Sequence, residues 1–242
     1  ENEHTRLHTC LAAVLNVHRL LPRQVVTEVQ TLKLPLASKE GFIRQVLGWR
    51  EFVRHVHQAT DGFRSQFSKA NRPGDAGYTQ WGNPKWKASR KVSGLDGGAP
   101  PSFLGTKNPL PAAFWGAASG LHCLDKVIGQ VWEHGYSHHI TRLMILANIA
   151  TLLDVSPREL TDWFWVAYVD AFDWVVEPNV LAMGTFGTGP LMTTKPYISA
   201  AAYIHRMSNF CTGCAFNNKT NCPITHLYWA FINRHKNNLQ SN

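Results

Sequence analysis

The sequence predicts an all-α fold, and three observations support this prediction. Across residues 121–179 the apolar side chains recur at steps of three and four, as at Val127, Val131 and Ile140, which is the spacing of one helix face. A second face of this kind runs through residues 38–58. No stretch of the chain is rich in strand signals.

The composition indicates a soluble unit with a polyanionic partner. The 242 residues suffice for one large core, so we expect a single domain spanning residues 1–242. The chain has neither a run of about 18 apolar residues nor a secretory signal, and we therefore expect no membrane span. The 24 Lys and Arg residues against 16 Asp and Glu residues favour nucleic acid as the partner.

The helix boundaries follow from local signals. Residues 5–26 predict two helices, with a break near Asn16 and the second helix opened by Pro22, because proline is favourable in a first helical turn. Ser38 is the expected N-cap of the next helix. Five apolar residues share one face of that helix, namely Phe42, Val46, Trp49, Val53 and Val56.

Two segments are expected to be irregular. The glycine-rich run at residues 184–189 should form a turn, because no strand precedes it and no Gly-Lys-Ser/Thr sequence follows. Residues 60–110 form a long basic segment in which aromatic residues are interleaved. Such a segment suits phosphate contacts and base stacking, and a loosely ordered surface excursion would show the same composition. Its basic residues and tryptophans include Arg64, Lys69, Arg72, Trp81, Lys85, Trp86, Lys87, Arg90 and Lys91.

The helical stretch at residues 121–179 carries more polar and titratable side chains than a plain core requires. Burying such groups without partners is costly, so the pattern indicates either a functional site or a core with satisfied polar residues. The residues concerned are Tyr136, His138, His139, Arg142, Asp170 and Asp173.

The cysteines indicate a metal centre. Cys211 and Cys214 form a CxxC motif, and Cys222 follows after seven intervening residues. In an intracellular chain this clustering favours a metal site over a disulfide framework. A tetrahedral site needs a fourth ligand, and the candidates are Cys123, Cys10, His205 and His226.

Six stretches of the chain resemble the helical flavin-binding half of the cryptochrome/photolyase family. They are HTRLHTCLAAVLNVHRLLPRQVV, GFIRQVLGWREFVR, LDKVIGQVWEHGYSHHITRLMI, YVDAFDWVVEPNV, TKPYISAAAYIHRMSNFC and CPITHLYWAFI. The chain is most similar to the iron–sulfur bacterial branch, which includes prokaryotic (6-4) photolyases, and it resembles a short form without the N-terminal antenna domain. The resemblance implies a helical FAD-binding domain and a monomer in the bacterial cytoplasm.

The resemblance also implies which residues bind FAD. Arg142 and Asp170 correspond to a salt-bridged pair beside the isoalloxazine ring, where a fixed charge pair can tune the electronics of the flavin. The full implied set is Thr5, Arg6, Leu7, Gln45, Arg50, Tyr136, Arg142, Asp170 and Asn179.

The reaction implied by the resemblance is light-dependent DNA repair. Excited, reduced FAD donates an electron to a UV-induced pyrimidine dimer, either cyclobutane or (6-4), in UV-damaged DNA. His138 and His139 match the pair that supplies a proton to the lesion, since histidine titrates near neutral pH; the same pair could instead orient the flavin. We expect single-stranded DNA to be preferred, because flipping a dimer out of a duplex costs energy. The alternative function is a cryptochrome-like blue-light photoreceptor without repair activity.

Two further sets of residues acquire roles from the resemblance. Cys123, Cys211, Cys214 and Cys222 match the four ligands of a 4Fe–4S cluster, although four thiolates would also suit zinc; Cys10 is left over and is expected to be buried. For photoreduction of FAD, Trp163 and Trp115 match the electron relay. Phe164 occupies the intermediate position and is a poor hole carrier, so that step is skipped or falls to a neighbour such as Trp165. All three tryptophans could otherwise be core residues.

Overall fold

The predicted all-α fold is confirmed by the computed structural model, which describes residues 10–60, 63 and 102–239. In these ranges the chain contains helices and turns but no strand; Asn108 and Val155 form one isolated parallel bridge. None of the helices in the described ranges is long and apolar enough to cross a membrane.

The N-terminal half of the described chain contains five helical elements. They are α1 (Ala12–Asn16), α2 (Pro22–Thr31), α3 (Leu36–Ile43), the π-helical segment π1 (Arg44–Gly48) and α4 (Trp49–Ala59). The C-terminal half follows a 3-10 turn at Ala112–Trp115 and consists of α5 (His122–His134), α6 (His139–Thr141), π2 (Arg142–Ala147), α7 (Asn148–Leu152), α8 (Pro157–Ala167), α9 (Asp173–Val176), π3 (Glu177–Gly184), a 3-10 turn at Gly189–Leu191, α10 (Ala201–Met207) and α11 (Pro223–Leu239).

Most of the predicted helix boundaries agree with the structure. Pro22 opens α2 as predicted, and the Gln24 side chain closes the first turn by accepting a hydrogen bond from the Leu21 amide at 2.8 Å. The prediction that Ser38 caps the next helix was wrong. That helix begins at Leu36 after Pro35, and the Pro35 carbonyl accepts the amides of Ser38 and Lys39 at 3.0 and 3.1 Å, so Ser38 already lies within the first turn.

The predicted apolar face of α3, π1 and α4 is confirmed by burial. Val46, Val53 and Val56 are buried, while Phe42 and Trp49 are partly buried and pack against the same clusters. The largest cluster of buried residues instead lies among α5, π2, α7, α8 and α11. It surrounds the stretch in which the sequence predicted a functional site.

The basic segment predicted at residues 60–110 is described only at positions 60, 63 and 102–110. The basic residues and tryptophans named for nucleic-acid contact, from Arg64 to Lys91, lie outside the described residues, as do Thr5, Arg6 and Leu7. The turn predicted at residues 184–189 is confirmed, because the chain leaves π3 at Gly184 and turns before Gly189.

Candidate cofactor-binding site

Arg142 and Asp170 form a two-pronged ion pair. Arg142 Nη1 and Nη2 donate to the two carboxylate oxygens of Asp170 at 3.1 and 3.0 Å. The side chains are only 18% and 7% exposed, so the pair is screened little by solvent. The structure therefore brings together the two residues that the resemblance paired, while their contact with a cofactor stays a prediction.

Three further contacts hold the Arg142 side chain in place. Its Nε donates to the backbone oxygen of Ser137 at 2.7 Å. The guanidinium carbon lies 4.2 Å from the ring centroid of Tyr168 and 5.0 Å from that of Tyr136, distances at which a cation is attracted to an aromatic face. Arg142 thus presents a positive charge whose position is set by four neighbours.

Asp170 is held by a hydrogen bond from the N-terminal part of the chain. The Asn16 side-chain amide, buried at the end of α1, donates to the backbone oxygen of Asp170 at 3.0 Å. A buried amide without such a partner would be costly. This bond therefore attaches the N-terminal helices to the ion pair.

The two tyrosines around Arg142 remain neutral. Burial raises the pKa of Tyr168, and the nearby Arg142 only partly opposes this effect. The pKa of Tyr136 is raised for the same reason. The Tyr168 hydroxyl is satisfied by Ser137 Oγ at 2.8 Å. Both rings therefore contribute their faces to Arg142 and add no charge to the site.

A cavity of about 190 Å³ lies beside the ion pair and is partly open to solvent. The walls are mainly apolar, and the polar groups converge at Arg142, Asp170 and Asn179. The lining residues are Tyr136, His139, Arg142, Leu143, Ala147, Phe164, Asp170, Val175, Val176, Asn179 and Val180.

The two adjacent histidines, His138 and His139, line different cavities. His139 is exposed and lines the cavity beside the ion pair. His138 lines a second cavity, together with Gln130 and Met207, and its Nδ1 accepts a hydrogen bond from the Thr141 amide at the start of α6. Only His139 is therefore placed to reach a molecule bound beside Arg142.

Gln45 and Arg50 are not among the residues that line the cavity. Gln45 is exposed on π1. Arg50 donates to the backbone oxygen of Val46 at 2.8 Å and lies over the Trp174 ring at 4.9 Å; burial lowers its pKa. Arg50 therefore reaches the cavity wall only indirectly, through Trp174, the neighbour of the lining residue Val175.

Three of the residues implied by the resemblance lie on π-helical segments. Gln45 is on π1, Arg142 begins π2 and Asn179 is on π3. Wide turns of this kind are rare and often occur at functional sites. Residue periodicity assumes 3.6 residues per turn, so this signal could not be read from the sequence.

The four cysteines matched to a cluster lie near one another. Cys123 is buried at the start of α5 and Cys222 is buried just before α11, while Cys211 and Cys214 lie in the turn after α10. Burial raises the pKa of Cys123 to about 12, with further increases from Cys222, Cys211 and Cys214. Within the described ranges, however, no group of three or more His, Cys, Asp or Glu side chains is arranged to hold a metal ion.

Cys10 does not follow the prediction. We expected a buried thiol, but Cys10 is exposed. It lies where the chain enters α1 with a positive φ of 53°, a conformation that belongs to turns rather than to a packed helix. Its thiol is close enough to Tyr136 to affect the pKa of that phenol.

The predicted relay tryptophans are not adjacent to one another. Trp163 is buried in α8, whereas Trp115 is exposed at the end of the 3-10 turn. Trp165 is exposed and packs against Phe172, with the ring centroids 6.4 Å apart. Trp132 of α5, for which the sequence predicted no role in the relay, lies between Trp163 and Trp115.

The described fold and cavity define the class of protein. It is a helical protein in which a buried arginine–aspartate pair lies at the edge of a largely apolar cavity. No family model matches the chain.

Known relatives extend this assignment. The chain is 33% identical over 213 residues to a protein named (6-4) photolyase from Agrobacterium fabrum, which covers 86% of this chain and 35% of the relative. It is 41% identical over 66 residues to uncharacterized protein R855 of Acanthamoeba polyphaga mimivirus, covering 27% of this chain and 54% of that protein. The chain thus spans about a third of the length of the photolyase that it matches. The first similarity supports the photolyase/cryptochrome family.

Proposed function

We propose that the protein is a light-dependent DNA photolyase that binds FAD beside Arg142 and Asp170 and repairs UV-induced pyrimidine dimers. The observation that carries this proposal is the fixed ion pair at the edge of an apolar cavity. It is supported by the similarity to a photolyase along 86% of the chain.

The cavity residues fit an isoalloxazine ring. A flat, mostly apolar ring with one polar edge suits apolar walls such as Leu143 and Val180, with Arg142, Asp170 and Asn179 available at that edge. When bound, FAD supplies the excited electron that splits the lesion. Arg142 would hold a positive charge at that edge, and the apolar walls would exclude water from the part of the ring that they contact.

His139 is the residue best placed to move a proton. It lies at the exposed side of the cavity, where a flipped-out lesion could approach the bound cofactor. Its imidazolium would donate a proton to the lesion from the ring nitrogen that faces it and would recover that proton afterwards. His138 would act by positioning, since its Nδ1 caps α6.

The proposed lesion is the (6-4) photoproduct, because the similar Agrobacterium protein is named for it and because a histidine lines the cavity. We expect purified, reduced protein to restore (6-4) lesions in an oligonucleotide under blue light and to leave cyclobutane dimers largely unchanged. Lesion loss would be measured by chromatography of the illuminated oligonucleotides. Repair of cyclobutane dimers alone would correct the lesion class, and flavin binding without repair of either lesion would favour the photoreceptor alternative.

The same assay tests the preference for single strands. A single strand spares the protein the unpairing cost of flipping, which is on the order of a few kcal/mol, so we propose faster repair of single-stranded than of duplex substrate. The comparison should be made at several salt concentrations, because phosphate contacts weaken as salt rises. Equal rates on the two substrates at moderate salt would contradict the preference.

We also propose that Cys123, Cys211, Cys214 and Cys222 hold a 4Fe–4S cluster. Their mutual electrostatic effects support a common site. Four thiolates suit either a single zinc ion or a 4Fe–4S cluster, and the resemblance to the iron–sulfur branch favours the cluster. A 4Fe–4S cluster would bind one of these thiolates at each iron.

Replacing Cys214 with serine is expected to remove most of the bound iron and to lower the soluble yield. The cluster would join α5 to the segment before α11, so its loss removes a link between distant parts of the chain. Iron per protein would be measured by elemental analysis. Cys10→Ser is the matched control and should retain its iron, because Cys10 lies outside the four. Stoichiometric zinc in the unaltered protein, prepared with adequate iron, would contradict this proposal.

A further inference from the structure

Three tryptophans form a continuous path from the core to the surface. The ring centroids of Trp163 and Trp132 are 6.3 Å apart, and those of Trp132 and Trp115 are 6.0 Å apart. Exposure rises along this path, from 1% for Trp163 to 45% for Trp132 and 57% for Trp115. Trp132 is thus the contact through which buried Trp163 reaches exposed Trp115.

One backbone oxygen holds two of these indoles in place. The Phe114 carbonyl accepts the indole N–H of Trp163 at 3.0 Å and that of Trp132 at 3.1 Å. Phe114 itself is fully buried and packs edge-on against Trp163 at 5.3 Å. The carbonyl dipole faces both N–H groups, and its negative end favours a positive charge on either ring.

The inner end of the path lies next to the candidate flavin cavity. Trp163 contacts Phe164 at 5.2 Å, and Phe164 lines that cavity. The Trp163 ring also lies 6.0 Å from the ring of Tyr168, and the Arg142 guanidinium lies over that tyrosine ring. A single layer of side chains therefore separates Trp163 from a molecule bound beside the ion pair.

The outer end of the path opens into a surface groove. Trp115 and Trp132 line this groove together with Gly116, Ala117, Asp125 and Gly129. The small residues leave both indole rings accessible to solutes. The Asp125 carboxylate adds a negative charge to the groove, which would stabilise a positive charge that arrives there.

We propose that Trp132 is the middle electron carrier between Trp163 and Trp115 during photoreduction of the flavin. This inference rests on the proposed function, since it requires a flavin in the cavity. Trp132 fills the gap left by Phe164, whose phenyl ring carries a hole poorly, and it replaces Trp165, which packs away from the path against Phe172.

In this relay Trp163 would give one electron to the photoexcited flavin and become a radical cation, which would take an electron from Trp132. Trp132 then takes one from Trp115. The radical on Trp115 is reduced at the groove by a solution thiol, which loses its proton to water and couples with a second thiyl radical to form a disulfide.

The test compares Trp132→Phe and Trp132→Tyr under blue light, without oxygen and with dithiothreitol as the donor. Both variants lose the N–H donor to Phe114, but only tyrosine keeps an oxidisable ring. Without a middle carrier the electron would have to pass between Trp115 and Trp163 in one longer step. We expect Trp132→Phe to slow photoreduction by about tenfold or more, a barrier increase of about 1.4 kcal/mol, and to abolish the long-lived tryptophan radical in transient absorption. Trp132→Tyr should restore part of the rate, and Trp229→Phe, which alters an exposed tryptophan of α11, should match the unaltered protein.

Two results would overturn the relay. Photoreduction at the unaltered rate in Trp132→Phe would show that electrons take another path. Equal slowing in the phenylalanine and tyrosine variants would show that the lost hydrogen bond, and not the lost carrier, matters. If the unaltered protein bound no flavin, both the relay and the proposed function would be rejected. If the unaltered protein is photoreduced normally, the variants test the relay alone.

Discussion

Replacing Asp170 with alanine is expected to destabilise the protein by about 3 kcal/mol, because removing one partner of a buried ion pair leaves the other charge without compensation. Arg142 is 18% exposed and would remain between two tyrosine rings with no carboxylate to neutralise it. The free energy of unfolding would be measured by urea denaturation. We also expect the flavin content of the purified variant to fall, since the same pair lies at the cavity edge.

Asp162→Ala is the matched control for this experiment. Asp162 also pairs with an arginine, Arg158, but its side chain is 58% exposed and Arg158 keeps a second partner in Glu177 at 2.8 Å. Exposed pairs contribute roughly 0–1 kcal/mol, so this variant should be nearly as stable as the unaltered protein. If both variants lost similar amounts of unfolding free energy, the buried Arg142–Asp170 pair would stabilise the fold no more than the exposed Asp162 pair does.

Replacing Gly187 with alanine is expected to destabilise the protein by about 2–3 kcal/mol, since overpacking and a lost hydrogen bond both oppose folding. A Cβ atom at Gly187 would lie 2.5 Å from the Leu181 backbone oxygen and 3.2 Å from Pro157 Cβ. That oxygen also accepts the Gly187 amide at 2.9 Å. The end of π3 would have to move, and with it the segment that carries Asn179. Thermal denaturation and flavin content would report the two effects.

Gly129→Ala provides the opposite case on α5. Nothing lies within 4 Å of a Cβ atom built at Gly129, so alanine meets no obstacle there. Within a helix, glycine is less favourable than alanine by about 1 kcal/mol. The Gly129 variant should therefore be as stable as the unaltered protein or slightly more stable. A Gly187 variant that melted at the same temperature as the Gly129 variant would contradict the close packing described for the turn.

The helices could be predicted from sequence because their signals are local. The apolar spacing of α4 and the proline at the start of α2 act within a few residues, so no knowledge of the rest of the chain is needed. The same reasoning misplaced the cap of α3, since two acceptable signals, Pro35 and Ser38, stand three residues apart. Local preference alone does not decide between them.

The site was predicted less completely because its contacts are not local. The partners of Asp170 include Asn16, which lies 154 residues away, and nothing in the sequence around Asn16 points to that contact. Tyr168 and Ser137 meet only after α5 and α8 have packed. Trp132 has the same apolar character as a core residue, and its position between two other tryptophans depends on the packing of three separate elements.

The π2 segment also constrains the number of residues that this helix can contain. Successive residues of an α-helix are about 100° apart around its axis. Arg142, Leu143 and Ala147 face the cavity, while Ile145 and Leu146 are buried in the core cluster. Removing one residue from π2 would make the helix regular and rotate its two ends relative to each other by about 100°. Arg142 would then point away from Asp170, although both side chains of the pair would still be present. At this point the chain should therefore tolerate substitutions more readily than a change in length.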